Sequence, residues 1–249
     1  GTSGVHAGQP YYDLAGWGYT GYGATNGGAA RIHWTGGAFT VDSGFENHPV
    51  TWVSWYGATA FAEFYGWRLP TEWEWQAVAD YDGSFTYGCG TTIDTSKANY
   101  FYSVHPDGTT AVGAFGLYGY DMADMAGNVF EWTSSDSGDN RVARGGCWYN
   151  TGSVCTVSYR DVFHGPVYKG FDIGFRVCRD LPIPDSDFVA IDESGFVGKM
   201  SRYETTNAPF ARYLNEALAA GAITVSGDDV VGTSGVHAGQ PYYDLAGWG

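Results

Sequence analysis

The strongest constraint on this chain is a repeat. Residues 1–18 read GTSGVHAGQPYYDLAGWG, and residues 232–249 read the same eighteen letters, an offset of 231. An identity of that length does not arise by chance, so the sequence holds one full period plus an overlap. Any fold must therefore be compatible with a chain that closes on itself or runs on in identical copies.

Composition narrows the class. Of 249 residues, 17% are aromatic, with 10 Trp and 19 Tyr, and 38 are Gly, whereas only 16% are charged. Large rings scattered among turn-formers describe a loop-rich globular protein whose irregular segments are pinned by aromatic side chains. The formal charge of −15 argues against nucleic acid and anionic membrane as partners. No apolar run approaches spanning length, so no membrane insertion is expected. The four cysteines, Cys89, Cys147, Cys155 and Cys178, lack the paired C-x-x-C spacing of a zinc site. With few lysines and many rings they fit an extracellular or cell-surface, disulfide-permissive setting. No signal peptide is visible, and the chain does not open with Met, so a natural N-terminus further upstream is expected.

Along the chain, Ala38–Val41 reads as a short strand. Ser54 opens a helix whose apolar stripe, Ala58, Phe61, Ala62 and Tyr65, is closed by Gly66. Thr71 and Glu74 form a capping box for a second helix. Residues 80–120 carry turn clusters. RVARGGCWYN, 141–150, reads as a strand with a Gly145-Gly146 bulge, and Ile173 to Arg179 as another. A proline-containing connector spans 180–187. Phe188 to Ile191 is a strand, and Thr206 or Asn207 caps a third helix that ends at Gly221.

One stretch carries chemistry. Asp124-Met-Ala-Gly-Asn-Val-Phe-Glu-Trp132 sets two carboxylates on either side of a Gly127-Asn128 turn. A turn lets carbonyls and carboxylates converge, as a hard cation such as calcium requires. On spacing alone the simpler reading is that Asp124 caps the turn and Glu131 is a solvated or salt-bridged strand residue.

Five blocks change that weighting: Pro49 to Trp55 (PVTWVSW), Gly66 to Trp75 (GWRLPTEWEW), Ala126 to Trp132 (AGNVFEW), Arg144-Gly-Gly146 and Gly174-Phe-Arg-Val177. Together they resemble the formylglycine-generating-enzyme (sulfatase-modifying factor) family, within the wider group of C-type-lectin-like folds. The resemblance implies an α+β, irregular, loop-rich fold with short antiparallel strands and about three helices. It also implies that the family's beginning, Phe188 to Leu218, here follows its end at Val177. Read circularly, 188–231 runs on through 1–179 as one domain. Residues 1–179 are then its main part, 180–187 a linker, and 188–249 the N-terminal part of the same domain type, permuted or belonging to the next tandem copy. The natural character of the linker favours tandem copies.

The resemblance further implies calcium through Asp124, the backbone of Gly127 and Val129, and Glu131. A second calcium would use Asn99, the Tyr100 carbonyl and Asp107. Catalytic relatives hold copper with two cysteines five positions apart, since thiolates suit a soft ion. Here Cys155 matches the second position, but the first is Asn150. A Cys147–Cys178 disulfide is the preferred pairing, with Cys89–Cys155 left over; other pairings and four free thiols remain open. An iron site of three histidines is disfavoured, because His6, His33, His48, His105, His164 and His237 show no H-x-x-x-H pair. No nucleophile elbow occurs.

The expectation is thus a non-enzymatic extracellular structural protein, a unit of a filament or stalk of calcium-stabilised tandem domains whose partners are copies of itself. A second reading is an adhesion or binding module that presents the Trp- and Tyr-rich segments 11–24 and 148–168 to a protein or glycan ligand. The third, an oxidoreductase of the family, is disfavoured by the missing thiol.

Overall fold

A computed structural model describes residues 8–15, 29–101, 108–179 and 187–233. In chain order its elements are β1 (Pro10–Asp13), β2 (Ile32–Thr35), β3 (Ala38–Val41), α1 (Trp55–Phe64), α2 (Glu72–Ala79), β4 (Phe130–Ser137), β5 (Asn140–Arg144), β6 (Asp161–His164), β7 (Ile173–Phe175), β8 (Cys178–Arg179), β9 (Phe188–Glu193), β10 (Phe196–Ser201), α3 (Asn207–Ala219), β11 (Ile223–Ser226) and β12 (Asp229–Gly232). Three helices and short, mainly antiparallel strands make an α+β, loop-rich fold.

The helices start where their polar residues can satisfy free backbone N–H groups. Ser54 accepts from Gly57 N at the head of α1, and Thr71 and Glu74 exchange both bonds of a capping box at the head of α2. Thr206 precedes α3 without a side-chain cap bond. In the four-stranded sheet, ordered β6-β5-β4-β7, β7 runs parallel to β4 and the other pairs are antiparallel.

Two strands end earlier than the sequence suggests. β5 stops at Arg144, because Gly145 and Gly146 both take positive φ and carry the chain out of the sheet. Ile173 to Arg179 divides in two: β7 pairs with β4, whereas β8 pairs with β10 in a separate sheet, β8-β10-β9.

Residues 187–233 do not stand apart. β10 joins β8, and β12 lies between β11 and β1. The centre of the main core is a cluster of rings in which Phe61 of α1 stacks on Phe210 of α3 at 5.6 Å and meets Phe175 of β7 edge-on at 5.3 Å. Burying such rings contributes about 1.5–3 kcal/mol each, so the late segment is an integral part of the same core as 8–179.

Candidate functional site

The Gly127-Asn128 turn lies at the centre of a buried polar knot. Asp124 and Asn128 both adopt left-handed backbone, φ 55° and 62°, which short polar side chains tolerate best. Asn128 ties three distant segments: its Nδ2 donates to Glu204 at 2.7 Å, its Oδ1 accepts from Thr110 N at 3.0 Å, and its backbone N–H donates to the Asn99 carbonyl at 2.8 Å. Its own carbonyl accepts from Trp148 N at 2.9 Å.

Beside the turn, Glu131 and Arg176 form a bidentate ion pair with both N···O distances at 2.6 Å and both side chains out of solvent. Trp75 Nε1 adds a third bond to Glu131 Oε2 at 2.6 Å. The rest of the Arg176 fork donates to the carbonyls of Ala123, Ser201 and Arg202. All its donors are therefore used, which is what makes a buried guanidinium tolerable.

Charge in this knot is unbalanced. The buried Glu131 and Glu204 and the half-buried Asp124 are three carboxyls against Arg176. Burial pushes Asp124 up to about 6, and burial with the neighbouring carboxylates Asp124 and Glu131 drives Glu204 well above the ordinary range. Asp124 accepts from Gly113 N at 2.6 Å, which offsets part of that cost.

The predicted calcium ligands fall out differently. Asp124, Gly127, Val129 and Glu131 are all at the knot and offer only oxygen donors, as a hard cation prefers. Glu131, however, has both oxygens engaged by Arg176 and Trp75, so a cation would compete with a guanidinium for it. Asn99 suits an ion better: its Nδ2 donates to the Gly108 carbonyl at 3.0 Å, while its buried Oδ1 has no donor. Tyr100 follows directly, and Asp107 lies outside the described residues. Among the described residues, no three His, Cys, Asp or Glu side chains form a ready metal cage.

The thiols also part from expectation. All four cysteines are free and buried. Cys147 packs in the main core, Cys178 in a second cluster with Trp75 and Met200, and Cys89 with Cys155 in a third. Neither expected disulfide is drawn in the structure: Cys147 and Cys178 lie in different clusters, and Cys89 and Cys155 share one as free thiols. Burial raises the Cys89 thiol to about 11 and Cys155 to about 12, which keeps them protonated and unreactive. Asn150 stands where the family resemblance leads one to expect the first copper thiol. Its Oδ1 accepts from both the N–H and the thiol of Cys147 at 3.1 Å, closing the turn after Arg144-Gly-Gly146.

Much of the proposed aromatic face is core. Tyr11, Tyr12 and Trp148 are buried, because their rings complete the main cluster. Residues 16–24 lie outside the described set. Phe163, 74% exposed, and Val167 do face solvent.

Glu204 was not apparent as a site residue from sequence. It sits two positions before the Thr206-Asn207 start of α3, and only the fold brings it to Asn128. A cleft of about 520 Å³ borders it, lined by Phe61, Tyr65, Trp67, Phe188, Tyr203 and Arg212 where 187–212 meets the rest of the chain.

The chain is similar to the serine/threonine-protein kinase pkn1 of Chlamydia pneumoniae, 36% identical over 173 residues, 61% of this chain but 27% of that protein. It is 35% identical over 160 residues to the inactive C-alpha-formylglycine-generating enzyme 2 of Mus musculus, covering 56% of this chain and 51% of that one. It is 36% identical over 104 residues to the formylglycine-generating enzyme of Mycobacterium tuberculosis, covering 36% of this chain and 34% of the enzyme. The chain thus spans about a quarter to a half of these relatives. Among solved structures, the Treponema denticola variable protein 1 shares the fold, with TM-score 0.50 and 21% identity over 69% of this chain and 93% of that one. The profile of the sulfatase-modifying factor enzyme 1-like domain matches residues 18–181, and the chain belongs to that family.

Proposed function

We propose that this chain is a non-enzymatic structural unit, one period of an extracellular filament or stalk built from copies of itself. The observation that carries the reading is the 231-residue period, combined with the way 187–233 completes the core of 8–179. Both ends of that segment lie beside the rest of the described chain: Gly8 N donates to Gly232 O at 2.7 Å, and the β9-β10 hairpin pairs through β10 with β8. A domain whose segment can be joined at either end is suited to repetition in one continuous chain. Heterologous, head-to-tail joining of such units gives open fibres instead of closed rings.

Donor chemistry supports the non-enzymatic reading. A carboxamide at Asn150 cannot be a thiolate, and its oxygen is occupied by Cys147. The inactive relative in mouse is a precedent for such members of the family. Calcium belongs to the proposal: Asn99 Oδ1 is an acceptor in want of a partner, and the excess of carboxyl over guanidinium at Asp124, Glu131 and Glu204 favours a cation nearby. Its role is to order loops, with stability rather than chemistry as the first casualty of its loss. The exposed Phe163 and Val167 on the 148–168 segment favour, as a second reading, adhesion to a protein or glycan ligand.

Electron microscopy of the native material with and without chelator tests the proposal. Uniform fibres with a domain-sized repeat, fraying in chelator, are the expected result. Discrete monomers in both conditions would sink the filament.

A further inference from the structure

The chain carries two copies of the sequence that forms β1 and, among the described residues, one slot that holds it. β1 lies in a slot between β12 and the head of α1. On one side Pro10, Tyr12 and Asp13 pair with Val231, Val230 and Asp229. On the other side Ser54 N donates to the Tyr11 carbonyl at 3.0 Å, Ser54 Oγ to the Pro10 carbonyl at 2.5 Å, and Asp13 N to the Trp52 carbonyl at 3.1 Å. Tyr11 and Tyr12 are buried. Tyr12 Oη accepts from Ile32 N at 3.2 Å, and its ring lies 5.7 Å from Phe210. Helix α1 is cut away to admit the strand: a Cβ at Gly57 would collide with the Tyr11 carbonyl.

We propose that this slot also accepts Pro241-Tyr242-Tyr243-Asp244, the second copy of the strand, within the same chain. Every group that β1 uses in the slot is present again, since 239–246 repeats 8–15. Reach favours it as well. β12 ends at Gly232, and the eight residues 233–240 separate it from Pro241, ample for an antiparallel return to a neighbour about 4.8 Å away. A hairpin across eight residues is also a far more local pairing than one joining positions 10 and 231. The slot is therefore served from either side, and whichever copy is not in it remains free. In consecutive units the same property lets a unit be closed by the strand that adjoins its own β12. The inference rests on the repeat and the slot, and stands whether or not copies assemble into fibres.

The test uses the full chain and three variants, Tyr12→Asp, Tyr243→Asp and the pair together, followed by thermal unfolding and sedimentation. An aspartate in place of the buried ring excludes that copy from the slot. Either single variant is expected to keep its melting temperature within about 3 °C of the parent and to sediment as a monomer, while the pair loses more than about 10 °C or fails to fold. If Tyr12→Asp alone is as damaging as the pair, the second copy does not enter the slot and the proposal is overturned. A pair that melts like the parent, or rescue of Tyr12→Asp only with a doubled mass, overturns it equally.

Discussion

Replacing Arg176 by Met removes the guanidinium that neutralises the knot and leaves Glu131 buried with only the Trp75 indole N–H still donating to it among the described residues. Three backbone carbonyls, Ala123, Ser201 and Arg202, lose a donor at the same time. Breaking one partner of a buried, hydrogen-bonded pair costs about 3–5 kcal/mol, a large share of the about 5–15 kcal/mol that holds a typical domain. Because Ser201 and Arg202 belong to the late segment and Ala123 to the early one, the loss loosens the joint between them. Equilibrium urea unfolding at pH 7 measures it. Glu131→Gln in the Arg176→Met background should restore at least about 1.5 kcal/mol, since the stranded charge is gone. Simple additivity of the two substitutions, or a loss under about 1 kcal/mol for Arg176→Met, would refute the view that this pair organises the knot.

Other expectations follow from single contacts. Gly57→Ala forces a Cβ against the Tyr11 carbonyl and should cost about 1–3 kcal/mol by denaturant unfolding, despite alanine's better helix propensity. Burial raises the Glu63 carboxyl from 4.5 to about 7. Its neutral form is favoured in the fold, so its contribution is complete below pH 4.5 and is lost as pH rises through 7, by at most about 3 kcal/mol. Glu63→Gln should flatten that part of the stability–pH curve. A thiol reagent at pH 8 should find no reactive cysteine in the folded protein and four after unfolding without reductant; two or fewer would reinstate a disulfide.

Legibility from the sequence followed locality. Ser54, and Thr71 with Glu74, mark their helices because caps act within a few residues. The Asp124–Trp132 block was conspicuous because its turn and its carboxyls are contiguous. What escaped was non-local. β1 reads as aromatic loop, since Tyr11 and Tyr12 show strand character only when β12, over two hundred residues away, lies beside them. The division of Ile173 to Arg179 likewise depends on β10, and Glu204 on a turn 76 positions distant. The Cys147–Cys178 pairing was hard to judge for the same reason: two strands that each bear a cysteine can still bury them in separate clusters.

The central claim is that 187–233 and 8–179 form one cooperative unit that recurs every 231 residues. Stretching a polypeptide of several consecutive periods in an optical trap tests it most directly. The account predicts a uniform sawtooth with one contour-length step per unit, about 80 nm for 231 residues at roughly 3.5 Å each. Two unequal steps per period, one of about 60 nm and one of about 16 nm, would show that the late segment unfolds on its own and would contradict it.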